Sequence, residues 1–261
     1  MNIRYSLLAS FFFAAQAVAA PQLTIVDDTV SEEVLITQLK GRIDVENSVT
    51  GCWYPGYAAT DAKSLRTACG TERGKTPHAL EMLNTLKTNS VALCGICDNA
   101  GMFPALSCAL GSGAKVVSIS QSGRFGSVYA RERMVSMLQK MPLVVFAVPN
   151  YGRPAHIPGF VPEAQNMDNV VFAVSVDKKG KFENWVDSNV IPKQAVVFAT
   201  DGTAPDGATG NSLATPRIAE RLSEMALQYP EMTGPELVEM LKKQSRRMKG
   251  HDNIYILASA K

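Results

Sequence analysis

Seven short runs of apolar residues punctuate the chain: LTIVD (23–27), VALCGIC (91–97), KVVSIS (115–120), LVVFAV (143–148), VVFAVSV (170–176), AVVFAT (195–200) and IYILAS (254–259). They are apolar almost throughout instead of alternating with polar residues, which is the pattern of strands covered on both faces. Between them lie segments with helical spacing, predicting helices over 31–40, 77–88, 102–111, 126–140, 214–228 and 234–246. Strands that alternate with helices imply a mostly parallel sheet joined by right-handed crossovers. No repeat, low-complexity tract or linker interrupts the series, so the pattern reads as one domain. No glycine-rich loop follows a strand; GSGAK (111–115) precedes one instead, so nothing supports a nucleotide site.

A further apolar run behaves differently. Leu7 to Ala15 follows the positive Arg4 and precedes the small-x-small triplet Ala17-Val18-Ala19. That order describes a secretory signal peptide, and the run is too short for a membrane span of about 20 residues. Cleavage after Ala19 is favoured, because cutting after Ala20 would place Pro21 next to the scissile bond. Residues 1–19 are therefore read as a signal peptide and 20–261 as the folded domain, secreted or periplasmic. The mature chain is expected to have no membrane association and no propeptide ahead of its first strand.

Composition narrows the classes further. Of 261 residues, 46% are hydrophobic and 19% charged, with a net charge of +2, which describes a globular protein with no electrostatic footprint for nucleic acid. Export makes the five cysteines candidates for pairing. Cys52 and Cys69 bracket a Gly/Tyr/Ala/Thr-rich segment and are expected to staple it. Cys94-Gly-Ile-Cys97 has redox-motif spacing, yet it lies inside an apolar run and opens no helix, so a thioredoxin-like role is rejected. Zinc is also unsupported, since no second Cys or His pair has ligand spacing. Cys108 is the fifth, and an odd count leaves a free thiol or an intermolecular bond.

In parallel sheets, ligands gather at the carboxyl ends of the strands. The polar residues there are Asp27 and Asp28 after the first run, Ser120, Gln121 and Ser122 after the third, and Asn150 after the fourth. Ser212 opens a helix after the sixth, and His78 opens the helix before the second. In isolation, Ser212 in GNSLATPRIAERL reads as a helix cap followed by Pro216 in an early turn. Asp, His, Asn and Ser together are the set that acyl transfer requires: a nucleophile, a base, a group that holds the base, and an oxyanion donor.

At these residues the chain resembles the subtilisin-like serine peptidases. TGNSLATPRIAERLSEMALQYPEMTGPELVEMLKK is similar to the family's nucleophile segment and its two following helices. LTIVDD resembles the strand that ends in the family's Asp, TPHAL stands at its His-Gly-Thr, VVFAVPNYG at its Ala-Gly-Asn, and KVVSISQSG at the Ser-Leu-Gly edge strand. The resemblance runs from about residue 22 to 247. It implies a three-layer α/β/α fold with a mostly parallel central sheet, and a serine endopeptidase with Ser212 as nucleophile, His78 as general base, Asp27 orienting it and Asn150 as oxyanion donor. It further implies that Ser120, Gln121 and Ser122 bind substrate, a peptide or protein. No cofactor is required; a structural calcium ion is known in the family, but no site for one is readable here. Oligomeric state is not indicated.

The departures from the family pattern cluster around the site. Asp28 and Thr29 stand where Ser or Thr and Gly are usual, Ala79-Leu80 replaces Gly-Thr, Pro149 replaces Gly, Asn211 replaces Thr, and Arg217 replaces His. They motivate a rival reading, a catalytically impaired pseudo-peptidase that binds peptides or a protein partner. An alternative register would give the orienting role to Asp28. An α/β-hydrolase, which wants its acid between Ser and His, is disfavoured, because only Glu and no Asp lies between Ser212 and His251 and too little chain remains for its later strands. The basic run KKQSRRMKGH (242–251) reads as a solvated helix end.

Overall fold

The computed structural model describes residues 20–28, 78–88, 90–96, 102–121, 128–150 and 162–257. Eight strands form one sheet: β1 Leu23–Asp28, β2 Val91–Ile96, β3 Val116–Ile119, β4 Val144–Ala147, β5 Val170–Ser175, β6 Val197–Thr200, β7 Arg246–Arg247 and β8 Ile254–Ile256. Their spatial order is β2-β1-β3-β4-β5-β6-β8-β7. Every pairing is parallel except that of β7 with β8. The fold is the expected α/β architecture with a mostly parallel sheet.

Five helices are described: α1 His78–Asn84, α2 Met102–Gly111, α3 Val128–Leu138, α4 Asn211–Gln228 and α5 Gly234–Gln244. The alternation of side chains along each strand divides the core into two layers. Val26, Cys94, Ile119, Phe146 and Phe172 pack with Met102 and Leu106 of α2 and Met134 and Leu138 of α3. Leu23, Ile25, Leu93, Val145 and Phe198 pack with Leu80 and Leu83 of α1, Ile218 and Leu222 of α4, and Leu237 and Leu241 of α5. Three layers result, and Asp27 continues the face of Leu23 and Ile25, toward α1 and α4.

The strand order explains where a site can form. From β1 the chain moves to β2 at the edge, then crosses to β3 on the other side of β1. Connections leave in opposite directions at this point, so a crevice opens beyond the carboxyl ends of β1 and β3. Asp27 and Asp28 end β1; Ser120 and Gln121 follow β3.

Several expectations need correction. Helix α4 starts at Asn211, not 214, and Gly210 is its N-cap, so Ser212 lies within the first turn and is not the cap. Helix α5 stops at Gln244, and Arg246–Arg247 forms a short antiparallel strand on β8, so the basic run is not simply a solvated helix end. Arg247 and Lys242 both lie over the Tyr255 ring, at 5.7 and 5.4 Å from its centre. Cys94 on β2 is bonded to Cys108 on α2, a pairing the spacing did not suggest. The expected Cys52–Cys69 bond, Cys97, the 31–40 helix and the signal peptide lie outside the described residues.

Candidate active site

Five elements deliver the polar residues to the crevice: β1, α1 and α4, and the ends of β3 and β4. Asp27 is fully buried. Its Oδ1 accepts from the Asp28 backbone N–H at 2.6 Å, from His78 Nδ1 at 2.7 Å and from Gln121 Nε2 at 3.2 Å. A carboxylate oxygen only accepts, so His78 Nδ1 carries the proton. The other ring nitrogen, Nε2, faces Ser212 Oγ at 3.0 Å. Asp27, His78 and Ser212 thus form one hydrogen-bonded chain, drawn from β1, the first residue of α1 and the first turn of α4.

The start of α4 is held in an unusual way. Its N-cap, Gly210, has no side chain to satisfy the free N–H groups of the first turn. Asn150, beyond β4, supplies the acceptor from outside: its Oδ1 takes the Asn211 N–H at 2.8 Å. With the oxygen end of that amide engaged, Nδ2 is the end that faces the space before Ser212. A Cβ built on Gly210 would fall into that space, 3.0 Å from Ser212 Oγ, 3.6 Å from Asn150 Nδ2 and 3.8 Å from the Ser212 nitrogen. The absent methyl group leaves a point within reach of a hydroxyl and two N–H donors.

Pro216 lies inside α4 and cannot donate to the carbonyl of Ser212, four residues earlier. Ser120 Oγ donates to that carbonyl at 3.1 Å. The third layer of support is Asn211, fully buried. Its Oδ1 accepts the Ser175 N–H at 2.7 Å and its Nδ2 donates to the Pro149 carbonyl at 3.2 Å, tying α4 to the ends of β5 and β4.

These contacts account for most of the departures from the pattern of the resembled peptidases. Asn211 and Pro149 bond to each other. Arg217 donates to the carbonyls of Asp201 and Thr203, pinning the loop that leads from β6 to Gly210. Ala79 and Leu80 are core residues of α1. Sequence reading missed Asn211 as a structural anchor; its signal was the absence of a β-hydroxyl next to Ser212, which required a new role for the position. Ser122 lies outside the described residues, as does His156.

The electrostatics are dominated by carboxylates. Burial lowers the proton affinity of His78, but the charge of Asp27, its hydrogen bond, and the charges of Asp28 and Glu81 together overcome this and hold the imidazole up at about 9. Burial, then the neighbouring Asp27, pushes the Asp28 carboxyl up to about 6, while the charge of His78 opposes the rise. Asp27, Asp28 and His78 are also the group among the described residues whose ligand atoms converge, all within 4.8 Å of one another. Because Asp27 Oδ1 and His78 Nδ1 engage each other, the set suits proton handling better than metal ligation.

No family model matches the sequence, and no curated protein matches it. Solved structures do. The nisin leader peptidase NisP from Lactococcus lactis superposes with a TM-score of 0.60 at 15% identity, covering 90% of this chain and 84% of that one. A lanthipeptide protease gives 0.57 at 14% identity, covering 90% and 84%. A cold adapted subtilisin-like serine proteinase gives 0.56 at 15% identity, covering 92% and 88%. The structural neighbours are subtilisin-like proteases, and at these identities the likeness is one of fold.

Proposed function

We propose that this chain is an exported serine endopeptidase of the subtilisin-like type. The observation that carries the reading is the Asp27–His78–Ser212 chain facing the open point before Gly210. A substrate carbonyl at that point is in reach of Ser212 Oγ. As Oγ attacks, its proton passes to His78 Nε2, and Asp27 stabilises the imidazolium that forms. Negative charge then develops on the carbonyl oxygen, where Asn150 Nδ2 and the Ser212 N–H at the start of α4 donate to it. The imidazolium returns the proton to the leaving amine, and water repeats the cycle on the acyl-enzyme. Peptides or proteins are the substrates in this reading, in keeping with proteases as structural neighbours.

Export is supported by the N-terminal pattern and by the Cys94–Cys108 bond. No helix among the described residues is long and apolar enough to cross a membrane. The Cys52–Cys69 bond remains part of the proposal, and non-reducing peptide mapping checks both pairings.

One observation favours the impaired reading. The carboxylates around His78 hold its imidazole up at about 9, which lowers the neutral fraction available to accept a proton at neutral pH. Labelling with a fluorophosphonate probe, followed by mass mapping, separates the two. The enzyme reading expects an adduct on Ser212 that forms faster as pH rises and is absent from Ser212→Ala. No adduct at any pH up to and beyond the His78 midpoint, in folded protein, would assign the chain to the peptide-binding alternative.

A further inference from the structure

Gln121 occupies the position of an apolar residue in the resembled edge motif and was expected on the substrate side. Its side chain reaches the Asp27–His78 pair. Nε2 lies 3.2 Å from Asp27 Oδ1 and 3.1 Å from His78 Nδ1. The amide orientation follows from its neighbours: turned over, its oxygen would meet a carboxylate oxygen with no proton between them. With Nε2 donating to Asp27, the short approach to His78 Nδ1 is the convergence of two donors on one acceptor. Asp27 Oδ1 then receives three donors, while Oδ2, also buried, has no hydrogen-bond partner among the described residues.

We propose that Gln121 is a positioning residue for the Asp27–His78 pair, its amide locking the carboxylate so that Oδ1 meets the imidazole and moderating the pull of that oxygen on the imidazolium. The inference rests on the roles proposed above for this site. The backbone explains how the amide gets there. In the β1–β3 register Val26 lies opposite Ile119, and the Ser120 N–H donates to the Val26 carbonyl at 3.4 Å, which keeps the strands together to their ends. Gln121 is the next residue, beside Asp27 at the switch point.

With Oδ2 unbonded among the described residues, the carboxylate is held through Oδ1 alone, and a third donor there adds to the Asp28 N–H and His78 in opposing its rotation without adding charge. A neutral donor also disperses the carboxylate charge, so the imidazolium is held less tightly than by Asp27 alone. Facing His78 among the described residues are Asp27 and Asp28 from β1, Glu81 from its own helix, Ser212 from α4 and Gln121 beyond β3. Gln121 is the uncharged side-chain donor on the Asp27 side of that set, which makes it a position where basicity can be tuned without changing net charge or touching the nucleophile.

The test has two arms. In a Ser212→Ala background, the His78 ring is titrated by NMR with and without Gln121→Leu and Gln121→Glu. The expected result is a midpoint raised by about half a pH unit or more in Gln121→Leu, and further in Gln121→Glu, with a displaced Nδ1–H resonance. In the parent enzyme, Gln121→Leu should lower kcat at neutral pH several-fold, shift the acid limb of kcat/KM upward and leave KM nearly unchanged. An unchanged His78 titration in both folded variants overturns the proposal, as does a raised KM with constant kcat, which would return Gln121 to the substrate edge. The NMR arm needs no turnover, so its failure is distinguishable from failure of the peptidase reading, which the absence of Ser212 labelling alone decides.

Discussion

The hydroxyl of Ser120 donates to the backbone carbonyl of Ser212, the carbonyl that Pro216 leaves without a helical donor. Strand end and helix start are joined through the candidate nucleophile itself. A buried carbonyl stripped of its donor costs about 1–3 kcal/mol. Ser120→Ala should therefore destabilise the protein by about that much and slow fluorophosphonate labelling of Ser212. Pro216→Ala restores an N–H four residues on, so Ser120→Ala should cost measurably less in that background. Denaturant melts of the double-mutant cycle check the coupling; strictly additive effects would mean that the two residues do not share the carbonyl.

Asn150 has two ends and two tasks. Oδ1 caps α4 through the Asn211 N–H, and Nδ2 faces the point where charge would develop. A donor of this kind strengthens only in the transition state. Asn150→Ala should lower kcat by a hundredfold or more, about 3 kcal/mol, with KM little changed, and should leave labelling slow but present. Asn150→Asp keeps the cap acceptor and removes the donor, so it should retain stability better than Ala while still losing turnover. Asp27→Ala should cost more than either, since it frees the His78 tautomer and removes the counter-charge.

The pH profile follows from the carboxylates around His78. Only neutral imidazole accepts the Ser212 proton, so kcat/KM should rise with pH and level off above about 9. Asp28, pushed up to about 6 by burial and then by Asp27, is ionised over most of that range and helps keep His78 charged. Asp28→Asn should move the limb to lower pH and raise the rate at neutral pH; Asp28→Ala should cost far less than Asp27→Ala. Stability should run the other way: the raised His78 value contributes stability present below its ordinary 6.5 and lost as pH rises through about 9. Thermal melts across that window should show the decline in wild-type protein, and His78→Ala should flatten it.

The sheet was legible because its strands are apolar on both faces, and the order of Asp27, His78, Asn150 and Ser212 along the chain placed them at one edge. Boundaries failed where tertiary contacts override local signals. Ser212 reads as a cap, yet the cap function passes to Gly210 and to Asn150 from another strand, which no local pattern contains. Arg246 and Arg247 extend a helical periodicity, but pairing with β8 draws both into the sheet, and Arg247 lies over the Tyr255 ring. Cys94 pairs with Cys108 because β2 and α2 pack together, a long-range consequence of the fold. The roles of Gln121 and Ser120 are of the same kind: residue type and position were visible, but the direction of the side chains was not.

Gly210 separates the requirements of the fold from those of the site. Its φ of −179° is extended backbone that any residue adopts, so alanine there introduces no backbone strain. The new Cβ would stand 3.0 Å from Ser212 Oγ and 3.6 Å from Asn150 Nδ2, in the space assigned to the substrate carbonyl. Gly202→Ala is the contrasting change: its Cβ would meet the Ser175 hydroxyl and, at 2.5 Å, the Gly210 carbonyl, which is backbone and cannot swing aside. Gly210→Ala should therefore melt within a few degrees of wild type while its Ser212 labelling falls at least tenfold. Gly202→Ala should lose stability first and labelling only as a consequence. Labelling of Gly210→Ala at the wild-type rate would mean that the carbonyl does not bind in front of Gly210, and the assignment of Asn150 Nδ2 and the Ser212 N–H as oxyanion donors would fail with it.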